Sequence, residues 1–182
     1  MEIEIRAKIN SLKFIERKLE KCGAILKKET KQEDVYFGEK CLYDKIGYSF
    51  MLRVRDEEGK IFLTYKGAKT KKDGVWEEYE FQIRNKKMAI QMLKAMGLEK
   101  IIEVRKTRKE YKLSGLSVCL DSVRSLGNFV EIEIVGNNKN VKTKLYDIMK
   151  KLEIKKVDII HKGYITMLLR KLNSPYAKHI KN

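Results

Sequence analysis

The stretch Glu2-Ile3-Glu4-Ile5 recurs, letter for letter, as Glu131-Ile132-Glu133-Ile134 near the other end of the chain. Both copies sit in runs where charged and apolar residues alternate. A β-strand turns successive side chains to opposite faces, so such a run has one charged face and one apolar face. Glu2, Glu4, Arg6 and Lys8 share a face, backed by Ile3, Ile5, Ala7 and Ile9; Phe129, Glu131 and Glu133 share another, backed by Val130, Ile132 and Ile134. Strands of this kind demand a covering layer for the apolar face and either water or a charged ligand for the other. Pairs of carboxylates on two strands, with basic residues elsewhere, are the raw material of a divalent-metal site for phosphate chemistry.

The rest of the chain supplies both strands and covering helices. Ser11 can cap a helix over 12–22, with Leu12, Ile15, Leu19 and Cys22 at core spacing and Gly23 ending it. Strand patterns follow at 34–38, 48–56, 60–67 and 75–84, with Glu57-Glu58-Gly59 as a hairpin turn. A helix over 86–97 carries Ala89, Leu93 and Met96 on one stripe. Strands at 101–113, 116–124 and 128–136 come next, then helices over 138–152 and 163–172. The tail 173–182, which contains the one proline, Pro175, reads as frayed. No linker rich in Pro, Gly or Ser divides the chain, so it reads as a single domain over 1–182 with similar halves at 1–97 and 98–172.

Charge narrows the partners. The chain of 182 residues carries a net charge of +16, which points to a polyanion (nucleic acid, an anionic surface or a compact phosphate ligand), with salt-tolerant surface solubility as the alternative. The three cysteines are scattered, with no CxxC, and read as reduced thiols of a cytoplasmic protein; with only two histidines, a zinc site is disfavoured. No apolar run approaches the ~18 residues of a membrane span, so no membrane partner is expected. About eight antiparallel strands with few helices suggest a closed or nearly closed barrel in an α+β chain. The helical stripes could cover the apolar faces from outside, turning the charges inward. An ordinary sheet with one wet charged face is the simpler alternative on residues alone.

Collected in order, the charged positions form a series. Glu2-x-Glu4-x-Arg6 opens the chain, and Asp34-x-Tyr36-Phe37 follows the first helix. Then come Arg53-x-Arg55, Leu63-Thr64-Tyr65-Lys66-Gly67 and Glu78-x-Glu80. Lys106-x-Arg108, Leu120-Asp121-x-Val123 and Leu126-Gly127-x-Phe129-Val130-Glu131-Ile132-Glu133 complete it. This ordered set resembles the CYTH superfamily, the triphosphate tunnel metalloenzymes, with Arg6 standing where the family's ExExK signature has lysine. The Leu126–Glu133 stretch and the chain length are most similar to class IV adenylyl cyclases and their archaeal relatives.

The resemblance implies an eight-stranded antiparallel β-barrel, a tunnel with charged residues inside and helices packed outside. It implies Mg²⁺ or Mn²⁺ on Glu2, Glu4, Glu131 and Glu133. It implies phosphate binding by Arg6, Lys8, Arg53, Arg55, Lys66, Lys106 and Arg108, with Asp121, Lys106 and Arg108 nearest the chemistry. Guanidinium groups suit this task because their planar fork matches phosphate oxygens. Glu78 and Glu80 share a face with Arg84 and are expected to pair with cations inside the tunnel, whereas Arg105 faces away from Lys106. Tyr36 and Phe37 could stack a base, but core packing is the commoner fate of such a pair. Lys27, Lys28, Lys69, Lys71 and Lys72 read as surface loop residues. His161 and His179 carry no partner signature, and Trp76 reads as packing rather than as a ligand contact.

The implied substrate is a nucleoside triphosphate or inorganic triphosphate. The reaction is conversion of ATP to 3′,5′-cyclic AMP and pyrophosphate, or, alternatively, hydrolysis of inorganic, thiamine or nucleoside triphosphate. A non-catalytic polyphosphate- or RNA-binding module would explain the charge but not carboxylates set among the cations, since acids weaken backbone binding; nucleic acid is therefore disfavoured. Self-association as a homodimer is left open.

Overall fold

A computed structural model describes residues 2–38, 50–68, 76–135 and 141–179. The chain forms two compact units, Met1–Thr30 with Lys106–Gly163 and Lys31–Arg105 with Tyr164–Asn182. The strands are β1 (Glu2–Ile9), β2 (Ile25–Gly38), β3 (Phe50–Glu57), β4 (Lys60–Ala68), β5 (Trp76–Ile83), β6 (Glu99–Leu113), β7 (Leu116–Val123), β8 (Gly127–Val135) and the short β9 (Ile159–Ile160). They follow the hydrogen-bonded order β5-β4-β3-β2-β6-β7-β8-β1-β9. The helices are α1 (Leu12–Lys21), α2 (Lys86–Ala95), α3 (Val141–Lys151) and α4 (Tyr164–Lys171). The fold is thus α+β, an antiparallel sheet with helices on its apolar side.

In the first unit the helices cover the face that alternation assigned to the core. Ala7, Val118, Leu120, Val130 and Ile132 of the strands pack with Ile15 and Leu19 of α1, with Leu145, Ile148 and Met149 of α3, and with Leu152 just after it. Ser11 caps α1 by accepting a hydrogen bond from the Phe14 amide at 3.3 Å. In the second unit Val35, Phe37, Val54 and Ile61 pack with Ala89 and Leu93 of α2. Asn85 caps α2 through the Met88 amide at 2.9 Å. The β3–β4 hairpin turns at Glu58 and Gly59, with φ of 51° and 86°. Both central residues of that turn are left-handed, as tight hairpins with native twist require.

Three segments differ from their sequence reading. β2 begins at Ile25, so Lys27 and Lys28 are strand residues; their stretch is polar and exposed, and lacks the alternation that marks a half-buried strand. β9 is two residues long, too short to leave a period. The tail is ordered as a 3-10 turn over Pro175–His179, held by the Tyr176 hydroxyl donating to Glu99 Oε2 at 2.5 Å. Lys69, Lys71 and Lys72 lie outside the described residues.

Candidate functional site

Register brings the charged residues of the first unit together. β1 and β8 pair antiparallel with Glu4 opposite Glu133, Arg6 opposite Glu131 and Lys8 opposite Phe129. β7 adds Cys119 opposite Glu131 and Asp121 opposite Phe129, and β6 adds Arg108 opposite Asp121. One face therefore carries Glu4, Arg6, Glu131, Glu133, Asp121 and Arg108 in adjacent rows.

Glu131 is the hub, only 3% exposed. Arg6 Nε donates to its Oε1 at 2.5 Å, and Arg108 Nη2 donates to its Oε2. Arg108 also grips Asp121, Nε to Oδ1 at 2.7 Å and Nη2 to Oδ2 at 2.5 Å, and Lys106 Nζ reaches Asp121 at 3.4 Å. Arg6 continues to Glu4 Oε1 at 2.9 Å and to the Lys162 carbonyl at 3.1 Å. Burial pushes the Glu131 carboxyl up, but Arg108, Arg6 and Lys106 more than reverse this and hold it well below the carboxylate range. Burial likewise raises Asp121, and Lys106 and Arg108 bring it net below its ordinary value. Burial raises the Cys119 thiol to about 12, so it is no nucleophile at neutral pH.

Carboxylate oxygens of Glu4, Glu131 and Glu133 lie within 4.8 Å of one another. An all-oxygen donor set, open on the Glu4 side where that side chain is 41% exposed, fits a hard cation such as Mg²⁺ or Mn²⁺. The Glu2 side chain lies outside the described residues. Lys8 is exposed on the same face.

The second unit has a charged face of its own. Asp34, Arg55 and Phe62 form one row across β2, β3 and β4; Tyr36, Arg53, Thr64 and Glu80 form the next across β2 to β5; Lys66 lies opposite Glu78. Arg55 is held by Asp34, Nε to Oδ1 at 2.7 Å and Nη2 to Oδ2 at 2.8 Å. Arg53 donates to Thr64 Oγ1 at 3.2 and 3.1 Å, to Glu78 at 3.1 Å and to Glu80 at 2.8 Å. Thr64 in turn donates to Glu80 at 2.7 Å, and Lys66 pairs with Glu78 at 2.7 Å. The expected pairing of Glu78 and Glu80 with cations is therefore present. Arg105 is exposed and paired with Glu103 and Glu33. Tyr36 and Phe37 are both buried, Phe37 in the apolar core and Tyr36 on the charged face.

Sequence reading placed no role on Thr64 or on Asp34 beyond its motif. The signal was present in part: once β2 and β3 are registered, Asp34 falls directly across from Arg55. The Lys162 carbonyl could not be found, since β9 left no sequence signal.

The sequence pattern of the CYTH domain matches residues 1–164. The chain belongs to the CYTH family. A Methanocaldococcus jannaschii protein named as a candidate adenylate cyclase is 34% identical over 177 residues, covering 92% of this chain and 98% of that protein. A solved structure of a Pyrococcus horikoshii OT3 protein superposes with TM-score 0.80 at 33% identity, covering 91% of this chain and 98% of the other. A Hippeastrum structure superposes with TM-score 0.66 at 19% identity over 95% of this chain and 96% of the other. That protein is described as a candidate adenylyl cyclase with a dominant triphosphatase activity, and at this identity it shares the fold alone. Among the described residues of this CYTH chain, no helix is long and apolar enough to cross a membrane.

Proposed function

We propose that this chain is a divalent-metal-dependent enzyme acting on triphosphates, in the first reading an adenylyl cyclase of the class IV kind. The observation that carries the proposal is Glu131: a buried carboxylate clasped by Arg6 and Arg108, with Glu4 and Glu133 within 4.8 Å. Acids alone would suit a cation, and cations alone a phosphate. Interleaved, they suit a metal–triphosphate.

Glu4, Glu131 and Glu133 would hold Mg²⁺ or Mn²⁺, which when bound neutralises phosphate charge and lowers the pKa of an attacking hydroxyl. In the first unit Arg6, Lys8, Lys106 and Arg108 bind phosphate oxygens and thereby stabilise charge that builds up on the leaving group. Arg53, Arg55 and Lys66 are the phosphate-binding candidates on the second unit's own charged face. Lys106 and Arg108 also fix Asp121 as an anion, so it orients cations and takes up no proton near neutral pH. In the cyclase reaction the ribose 3′-hydroxyl attacks the α-phosphorus and pyrophosphate leaves. Among the described residues no Ser-His-Asp or Cys-His group is assembled, and Cys119 stays protonated, so no covalent intermediate is invoked.

One observation favours hydrolysis as a second reading. The aromatic pair best suited to stacking a base, Tyr36 and Phe37, is buried at 7% and 0% exposure. A hydrolase needs no base pocket, and inorganic, thiamine or nucleoside triphosphate would serve.

Incubation with ATP and Mn²⁺, followed by product identification, separates these readings. Cyclic AMP with pyrophosphate supports the first. ADP or AMP with phosphate, or phosphate from tripolyphosphate alone, supports the second. Turnover of neither substrate, with polyanion binding that persists in EDTA and in Glu4→Gln and Glu131→Gln, would overturn both and leave a binding module.

A further inference from the structure

We infer that Asp34, steadied by the Tyr36 hydroxyl, is a positioning residue that presents Arg55 to a phosphoryl group in one fixed orientation. The inference rests on the triphosphate reading above and names a residue that reading leaves idle.

Asp34 is 1% exposed and sits directly across the β2–β3 ladder from Arg55. Both of its oxygens accept from Arg55, at 2.7 and 2.8 Å, and this occupies the Nε–Nη2 edge of the guanidinium. Arg55 Nη1 makes no hydrogen bond to a described residue. The fork is thus clamped along one edge, which leaves Nη1 for a ligand. Tyr36, on the same face two positions along, donates from its hydroxyl to Asp34 Oδ2 at 3.4 Å. A phenol and a guanidinium together hold the carboxylate, and the carboxylate sets the plane of the guanidinium.

A buried ion pair is weak evidence for stability, because apolar replacements of similar volume often serve as well. Orientation gives this one a purpose. Arginine has several rotatable bonds, and a phosphate that must first immobilise it loses affinity to that ordering. A guanidinium already held in plane spares the ligand that cost. Lysine at position 55 would lack the fork that makes the clamp possible.

The direction of the effect separates positioning from bulk charge. Asp34→Asn removes a negative charge beside a cation, so by charge alone it should tighten polyanion binding. Positioning requires the opposite. Calorimetric titration with inorganic tripolyphosphate and Mg²⁺ reads this on the full chain. The wild type is expected to bind, and Asp34→Asn to bind about tenfold more weakly, the loss of one charge-assisted hydrogen bond of about 1.4 kcal/mol. Asp34→Glu keeps the charge and moves it by a methylene, and should weaken binding too. Arg55→Lys should weaken binding by itself, and Asp34→Asn added to it should cost nothing further. Thermal melts of each variant confirm folding; should Asp34→Asn fail to fold, Tyr36→Phe decides, with binding weakened several-fold expected.

Unchanged or tighter binding by the folded Asp34 variants, or additive losses in the double variant, overturns the inference and leaves the triphosphate reading standing. Failure of the wild type to bind tripolyphosphate overturns both.

Discussion

At the scale of single residues, Glu131 is where structure and chemistry are hardest to separate. Its two oxygens satisfy two different arginines, and its burial leaves no water to replace either. Removing one partner of such a buried cluster leaves the others uncompensated, which typically costs about 3–5 kcal/mol. Glu131→Gln should therefore lose stability on that scale, measured by urea unfolding. Glu4→Gln, at a position 41% exposed, should lose no more than about 1 kcal/mol. Equal losses for the two variants would remove Glu131 from its central place. Alternation put Glu4, Arg6, Glu131 and Glu133 on charged faces correctly, because a period of two is fixed by strand geometry. Alternation says nothing about which strands pair. Arg6 opposite Glu131 is a fact of register, and register depends on contacts between residues far apart in sequence.

At the scale of elements, helix spacing was the most legible signal. Leu145 and Ile148 of α3 and Leu152 just after it recur at core intervals, and all three are buried in the core with residues of β7, β8 and α1. Leu145 is fully enclosed, so Leu145→Ala should cost about 2–5 kcal/mol through lost burial and the cavity left behind. Urea denaturation followed by far-UV circular dichroism measures it; a loss under about 1 kcal/mol would mean that the helix is not essential to this core. β2 was legible only where one side is buried. The second half of β2 buries Gln32, Asp34 and the run from Val35 to Gly38, and its pattern can be read. The first half of β2 is exposed at every residue from Ile25 to Glu29, so polar residues serve on either face and no period survives. The 3-10 turn at Pro175–His179 is tied by the Tyr176 hydroxyl to Glu99, a residue far earlier in the chain, and no local pattern encodes that contact.

At the scale of the whole molecule, the ordered series of charged motifs made the family legible, while the division into two units was not. Each unit draws on segments distant in sequence, and β2 and β6 each contribute to both, so no composition shift marks a boundary. What the whole chain shares is a reliance on ionised carboxylates among an excess of cations. Glu131, Asp121, Glu80, Glu16, Glu103 and Asp56 all titrate below their ordinary values, through ion pairs and hydrogen bonds to basic or hydroxyl groups. In the unfolded chain these groups take up protons near pH 4, at about 3.9 for Asp and 4.3 for Glu. The folded state holds fewer protons than the unfolded state below that point, so lowering the pH favours unfolding. Their contribution is fully present above about pH 5 and is lost progressively as the pH falls toward the depressed folded values. The net charge of +16 acts in the same direction, because every carboxylate that is protonated leaves the cations less screened. The urea midpoint should therefore be steady from pH 7 to pH 5 and fall steeply between pH 4.5 and pH 3. Added salt should soften the fall by screening the surplus positive charge. A midpoint that held constant to pH 3 would mean that these carboxylates are not ion-paired in the folded protein, and the charged faces described above would lose their physical basis.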